Sequence, residues 1–501
     1  MTSADAPTLS YSSAPGRWVL LVTVLGSGLA SLDATVVNIA LPTIGRDFNT
    51  GIAALQWVTN GYTLTLAAFL LVGGSLGDRF GRRKVYLIGI VWFAVASAAC
   101  GLAPGAVFLI VTRLLQGVGA ALLTPGSLAI LEASFVPGDR ARAIGAWSGL
   151  SGVAVAVGPL VGGYLISAAS WRWIFFINVP LAAVVVAFGL RHLPESRDPN
   201  VTGAIDYAGA LALVVFLTGI TFAFIEAPVL GWSSPAVLAM ALAGVLGLVA
   251  FLVRERTAAS PMLPLSVFAA KQFTATNAVT FLVYAALTGA TFLLPVMLQV
   301  VWDYSPLASG LALLPLTVIM LALSARSGQL ATRIGPRLQM SVGPVVVGAS
   351  LAMLTFATSG PSYVLYVLPA VTVLGLGLAI TVAPLTATAM NSAPPQHSGI
   401  ASAVNNDLAR FGGLLAVAVL PALAGITGSA YLHPDALASG FRTAVLISGA
   451  TCVAGGLLAA FTITNPERVP RPAGAPAPEE CLHCGLDAPP LATVSQPAGP
   501  E

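Results

Sequence analysis

Fourteen stretches of the chain are apolar for about as long as a helix needs to cross the hydrocarbon of a bilayer, some 20 residues. They run over residues 18–41, 54–76, 85–104, 107–131, 143–166, 172–190, 205–226, 234–253, 272–299, 306–325, 338–357, 362–389, 400–426 and 440–463. Short loops marked by Gly, Pro or charge separate them. The two longer linkers, 191–204 and 254–271, bracket the seventh and eighth stretches. Composition points the same way, because charged residues are 8% of the chain and hydrophobic ones 57%. A water-soluble domain carries about a quarter charged residues to cover its surface. The expectation is an all-α membrane protein with every backbone polar group satisfied inside its own helix. The first stretch is too long for a signal-peptide core and reads as a retained span.

The basic residues orient it. With a cytoplasmic N-terminus, 17 of the 22 Lys and Arg fall in inner loops and tails. Only Arg46, Arg172 and Arg442 fall outside, and Arg113 and Arg410 lie within spans. The positive-inside rule therefore puts both termini in the cytoplasm, as an even number of spans requires. A net charge of +3 is too small to suggest a nucleic-acid partner.

A weak repeat divides the chain. Gly74-Ser75-Leu76-Gly77-Asp78-Arg79-Phe80-Gly81-Arg82-Arg83 follows the second span, and Gly328-Gln329-Leu330-Ala331-Thr332-Arg333-Ile334-Gly335-Pro336-Arg337 follows the tenth. If spans seven and eight are an insertion, each copy follows the second helix of a six-helix half. Two related halves around a central site are a common transporter design. In the first copy Gly74 would allow close helix contact and Gly81 a turn with positive φ. Asp78 among Arg79, Arg82 and Arg83 could form a charge network that breaks as the halves rock. A loop that only sets topology is the alternative, although an acid among the basics serves no topological purpose.

Charge inside a span is costly and by default functional. Asp33 lies eight residues before Leu41 in the outward-running first span, and Arg113 nine after Pro104 in the inward-running fourth. At 1.5 Å per residue both sit about 12–14 Å below the outer boundary, so they could meet. Gln116, Gly117 and Ala120 follow Arg113 on its face. One reading makes Asp33 a proton carrier, since burial raises a carboxyl's proton affinity and a nearby Arg lowers it. The other is a permanent ion pair that locks two helices. The fifth span carries Gly152 and then Gly158-Pro159-Leu160-Val161-Gly162-Gly163. Pro159 cannot donate to the Val155 carbonyl, so a kink, and a hinge or seal against proton leak, is expected there; simple tight packing is the alternative. In span thirteen, Asp407 and Arg410 are three apart and are expected to pair along one helix, with Asp407 as a second titrating acid the alternative. Asp206, Glu226, Glu132 and Asp303 lie near span ends, where water reaches them, and need no special function.

No Walker motif, nucleophile–base arrangement or metal-ligand cluster is present, so neither ATP-driven pumping nor enzymatic activity is expected. Four cysteines indicate no disulfide framework. Cys481-Leu482-His483-Cys484 in the Pro/Ala-rich tail lacks the fourth ligand zinc requires, and an unstructured tail is expected there.

Together these motifs resemble the major facilitator superfamily. The 74–84 loop is similar to its signature loop, Arg113-Leu114-Leu115-Gln116-Gly117-Val118-Gly119 to its fourth-helix motif, and Gly158–Gly163 to the fifth-helix motif of antiporters. Leu32-Asp33-Ala34-Thr35-Val36-Val37-Asn38-Ile39-Ala40-Leu41-Pro42 and Trp171-Arg172-Trp173-Ile174-Phe175-Phe176-Ile177-Asn178-Val179-Pro180 look like the fourteen-span drug:proton antiporters of the EmrB/QacA type. The resemblance covers about residues 18–463. It implies the major facilitator fold, with bundles at 18–190 and 272–463, two extra helices within 191–271, and cytoplasmic segments at 1–17 and 464–501. It also implies alternating access in the inner (plasma) membrane, with Asp33 the proton- or substrate-linked acid, Arg113 its partner, and Gly158 and Pro159 the hinge. Spans nine to twelve hold no interior acid, where some cation-exporting relatives place one, which weakens a dicationic substrate. The expected function is proton-coupled export of small hydrophobic or amphipathic compounds. Its partners are lipid, substrate and protons; no cofactor is needed beyond the proton gradient, and a monomer is expected. A dedicated exporter of one endogenous lipid, siderophore or antibiotic is the nearest alternative, and a non-transporting sensor or scaffold the more distant one.

Overall fold

The computed structural model describes residues 9–198, 206–258, 261–392 and 398–465. Fourteen spans cross it: α1 (Ala14–Asp47), α2 (Ile52–Phe80), α3 (Arg82–Gly101), α4 (Ala106–Ser134), α5 (Pro137–Ala168), α6 (Trp173–His192) and α7 (Tyr207–Leu230). They continue as α8 (Pro235–Thr257), α9 (Lys271–Val301), α10 (Pro306–Ile334), α11 (Pro336–Thr358), α12 (Tyr363–Asn391), α13 (Ser398–Leu423) and α14 (Pro434–Thr462). All-helical spanning structure is what hydrocarbon demands of the backbone. Among the described residues the only strand-like pairing is a bridge between Leu9 and Phe135.

Most helices overrun the apolar stretches that announce them. Hydrogen bonding continues into water wherever a cap permits it, whereas hydropathy stops at the lipid edge. Thus α1 starts at Ala14, where the Ser13 hydroxyl accepts the Gly16 N–H at 3.1 Å and Pro15 occupies the first turn. Likewise α5 starts at Pro137, and its polar first turns lie outside the apolar run that begins near 143. The segment before α1 is tied down: the Leu9 N–H donates to the Ser134 carbonyl, and Arg142 stacks on the Tyr11 ring at 4.3 Å.

The repeat is visible in the backbone. Gly81 and Gly335, matched in the two loop copies, have φ of +115° and +84°, and each closes one helix and opens the next. Only glycine enters that region without penalty, so a ten-residue pattern produces the same tight reversal twice.

Residues 1–464 make one unit and Asn465–Glu501 another. Beyond Asn465 the tail, with Cys481 and Cys484, lies outside the described residues. Helices α1–α6 and α9–α14 form two six-helix bundles. The end carrying the 78–84 loop is called the basic end below, and the opposite one the far end. One apolar cluster at the far end takes residues from both bundles, including Leu41, Ile44, Leu55, Phe292, Leu298 and Tyr431. Hydrogen bonds join the bundles there as well. Gln56 donates to the Val417 carbonyl at 2.6 Å, Gln299 to that of Ile39 at 2.9 Å, and Tyr431 to that of Thr50 at 2.8 Å.

The extra pair, α7 and α8, is packed by small residues: a Cβ on Gly247 would come within 2.6 Å of the Phe216 nitrogen. Helix α7 then rests on both bundles, with Leu217 against Leu64 and Leu414. The Trp57 indole donates to Glu226 at 2.8 Å. That carboxylate, near a span end, therefore ties α7 to α2.

Candidate functional site

Asp33 and Arg113 do meet. Both side chains are 1% exposed, and the Arg113 guanidinium donates to Asp33 Oδ2 at 2.5 Å. It also donates to Gln116 Oε1 at 2.7 Å and, through Nε, to the Val58 carbonyl at 3.1 Å. Asp33 Oδ1 accepts from Gln116 at 2.9 Å and from Asn178 at 3.1 Å. Asn178 is itself held by Ser97 at 3.0 Å, and its own Oδ1 is buried without a partner. A buried ion pair is tolerable only when its remaining donors and acceptors are used in this way. Sequence reasoning found Asp33, Arg113 and Gln116, because charge stands out in an apolar run and Gln116 is three residues on. It placed Asn178 in a family-like segment without a role, and it missed Ser97, whose only signal is an uncharged polar side chain inside a span.

Tyr62 of α2 is the second missed residue. Its ring lies 4.4 Å beneath the Arg113 guanidinium, and its hydroxyl donates to the Ala30 carbonyl at 3.3 Å. It also lines a cavity of about 840 Å³ that runs between the bundles to the basic end. One aromatic ring thus stands between the Asp33 cluster and open space. The cavity wall includes Ser31, Leu66, Trp147, Asn406 and Arg410, with Asp78, Arg79, Arg82 and Glu132 towards the mouth.

Helix α5 is packed at one end and open at the other. Cβ atoms at Gly158 and Gly162 would strike Thr35 and Val36 of α1, and one at Gly163 would come 2.6 Å from Leu307 Cα of α10. The Pro159 carbonyl lies against Gly310 of the same helix. Gly152, grouped with them in the sequence, has nothing closer than Leu321 at 3.9 Å. It belongs to the open part, because the bundles diverge below Gly158.

At the basic end Arg82 pairs with Asp78 at 2.8 Å, Arg79 reaches Ser75 at 3.4 Å, and Gly81 takes the positive φ expected of it. The close helix contact expected of Gly74 belongs instead to Gly73, whose Cβ would overlap the Ala121 carbonyl; Gly74 meets Pro125 at an ordinary 3.6 Å and faces the cavity. A one-residue step on a helix turns the side chain by 100°, which the motif does not register. The loop is also held from outside its motif. Glu195, beyond α6, accepts the Arg83 and Lys84 N–H groups at 3.1 and 3.2 Å and caps α3. Nearby, Asp206 caps α7 and accepts both contacts from Arg254 Nε, at 2.9 and 3.1 Å. Burial pushes its carboxyl up, but the Gly209 N–H and Arg254 outweigh this and hold it below its usual range. A depressed carboxyl stays charged at any pH above its ordinary value, so Asp206 exchanges no proton near neutrality.

Asp407 and Arg410 do not pair. No ion pair or hydrogen bond joins them among the described residues, and Asp407 Oδ1 and Arg410 Nε are buried without partners. Spacing of three permits contact along a helix but does not require it, and here Arg410 turns to the cavity wall. Among the described residues, no cluster of His, Cys, Asp or Glu could hold a metal ion.

The family profile described as Major Facilitator Superfamily matches residues 23–417. The chain belongs to that superfamily. This facilitator is 36% identical over 81% of its length to the tetracenomycin C resistance and export protein of Streptomyces glaucescens, covering 75% of that protein. It is 38% identical to the puromycin resistance protein of Streptomyces alboniger, over 83% of this chain and 84% of that one. The methylenomycin A resistance protein of Streptomyces coelicolor is 34% identical, over 93% and 96%. Among solved structures, a peptide transporter in complex with sulfate shares the fold, with a TM-score of 0.67 at 14% identity over 90% of this chain and 96% of that one. A bacterial homologue of the human lysosomal transporter Spinster does so at 0.63 and 16%, over 90% and 97%. The facilitator is a multi-pass membrane transporter.

Proposed function

We propose that this transporter exports small hydrophobic or amphipathic compounds in exchange for protons, with Asp33 as the proton carrier. The observation that carries the reading is the Asp33 cluster itself: an acid buried mid-bundle, one aromatic ring from a cavity open at one end only. The excess of basic residues at the open end supports a cytoplasmic assignment for it, in the inner (plasma) membrane, and hence an inward-open state. Substrate would enter from the cytoplasm or the inner leaflet. Rocking of the bundles about the packed α1–α5–α10 contact would open the far end and close the basic one. The same movement would shift Tyr62 and Arg113 against Asp33, and a carboxylate whose cationic partner and hydration change can load and release a proton. The Asp78–Arg82 pair and the Glu195 cap would break and re-form at the closing end. No cofactor enters this scheme; the proton gradient supplies the energy, and a single chain suffices.

Relatives named for resistance to, or export of, antibiotics support efflux as the direction of transport. Several are named for one antibiotic each, which supports a second reading, a dedicated exporter of a single product, while a Mycobacterium tuberculosis relative named for multidrug resistance supports the broad pump. Asp33→Asn is the test. In proteoliposomes under an imposed pH difference, uphill movement of a dye or antibiotic should fall at least tenfold, while downhill exchange persists. Unchanged uphill transport would remove Asp33 from the mechanism.

A further inference from the structure

We infer that Arg410 is the headgroup site of the central cavity and that the preferred substrates are amphipaths bearing a carboxylate; the inference deepens the export reading and rests on it. Arg410 lies about 18 Å from either end of α13, at 1.5 Å per residue. It lines the cavity, its Nε is buried without an acceptor, and it makes no hydrogen bond or ion pair with any described residue.

Every other charge on the cavity wall lies near a helix end at the basic mouth, and three of them are paired: Asp78 and Arg82 with each other, and Asp206 with Arg254. Arg113, the other mid-span cation, already commits its Nε to Val58 and its Nη1 to Asp33 and Gln116. The middle of the cavity therefore presents one guanidinium with unused donors and no carboxylate facing it. Asp407, its neighbour on the helix, is not among the cavity-lining residues.

A cation held at that depth with only a through-space acid, Asp407, and no hydrogen-bonded partner is expensive, and a ligand that brings an anion into direct contact lowers the cost. Guanidinium also favours planar, two-oxygen acceptors geometrically. Asn406, one turn back on the same face, adds an amide beside it. Leu66, Leu70 and Trp147 offer an apolar surface to the rest of the molecule. A cationic amphipath would gain the same apolar contacts but meet like charge.

The test compares two dyes on one xanthene scaffold: fluorescein, which carries a carboxylate and an acidic phenol, and rhodamine 6G, an esterified cation. Binding is measured to the full chain in lipid nanodiscs, and pH-gradient-driven movement in proteoliposomes. The wild type should bind fluorescein more tightly. Arg410→Gln should weaken fluorescein about tenfold or more and leave rhodamine 6G unchanged or tighter, and Arg410→Lys should keep much of the preference. Equal weakening of both dyes by Arg410→Gln, or a wild type that prefers the cation, overturns the assignment. Arg410-dependent fluorescein binding without gradient-driven movement of either dye upholds this site and overturns proton exchange. Gradient-driven movement with binding indifferent to Arg410 does the reverse.

Discussion

Two sets of Asp and Arg deep within the spans, one buried and one half-buried, behave oppositely. Asp33 and Arg113 are 80 residues apart, on different helices, and touch at 2.5 Å. Asp407 and Arg410 are three apart, on one helix, and do not touch. The first pair sits where four helices bring Gln116, Asn178, Ser97 and a backbone carbonyl to it, so both Asp33 oxygens and the Arg113 Nε and Nη1 are engaged. The second stands at a cavity wall, where open space replaces packed neighbours. In lipid a charge can be accommodated by saturating it with partners or by giving it a polar opening. This molecule does each once, one bundle apart; depth along the spans forecasts the first, and the spacing of Asp407 and Arg410 misleads about the second.

The contrast can be broken most sharply at Arg113. Arg113→Met leaves the Asp33 carboxylate buried without its cation, and about 3–5 kcal/mol of stability should be lost. Thermal melting of the purified protein in detergent would measure it. Asp33→Asn combined with Arg113→Met should restore most of that stability while leaving uphill transport dead. If the double variant pumps, the pair is only a fastener.

The same division of packed from open runs along α5 and gives a smaller effect. Gly163→Leu must force apart Leu307 and the Pro306 carbonyl, at about 1–3 kcal/mol. It should also increase maleimide labelling of single cysteines at the far end. Gly152→Leu meets nothing closer than Leu321 and should cost no more than about 0.5 kcal/mol in this conformation. It should nevertheless slow transport, because closing the basic end brings α5 and α10 together there.

The smallest change is expected at Arg410. Because it makes no hydrogen bond or ion pair to lose, Arg410→Gln should leave the stability read from thermal melting within about 0.5 kcal/mol of the wild type, or raise it. A loss comparable to that of Arg113→Met would mean that the two cations are held alike, and the comparison would fail.

How much of this could be read from the sequence follows from the kind of signal each feature leaves. The spans were legible because about 20 apolar residues in a row have few other uses, and the reversals at Gly81 and Gly335 because only glycine suits them. The meeting of Asp33 with Arg113 was legible from depth alone, since two charges at one level of a bilayer have few other partners. Asn178, Ser97 and Tyr62 were not, because a neutral polar side chain in a span gives no hint of which neighbour it faces. The closeness assigned to Gly74 and the pairing assigned to Asp407 went wrong for one reason: a motif records order along the chain, not the rotation of a helix about its axis.

The sequence by itself therefore determined the solvent, the number of crossings, the two-fold repeat and the identity of one charged pair, all of which depend on hydropathy, chain reach and backbone sterics. Tertiary structure alone decided which end is sealed, which glycines are pressed against a neighbour, that Tyr62 separates the acid from the cavity, and that Arg410 faces that cavity unpaired. Those are outcomes of helix rotation and packing between bundles, set by hundreds of small contacts that no single residue or spacing reveals.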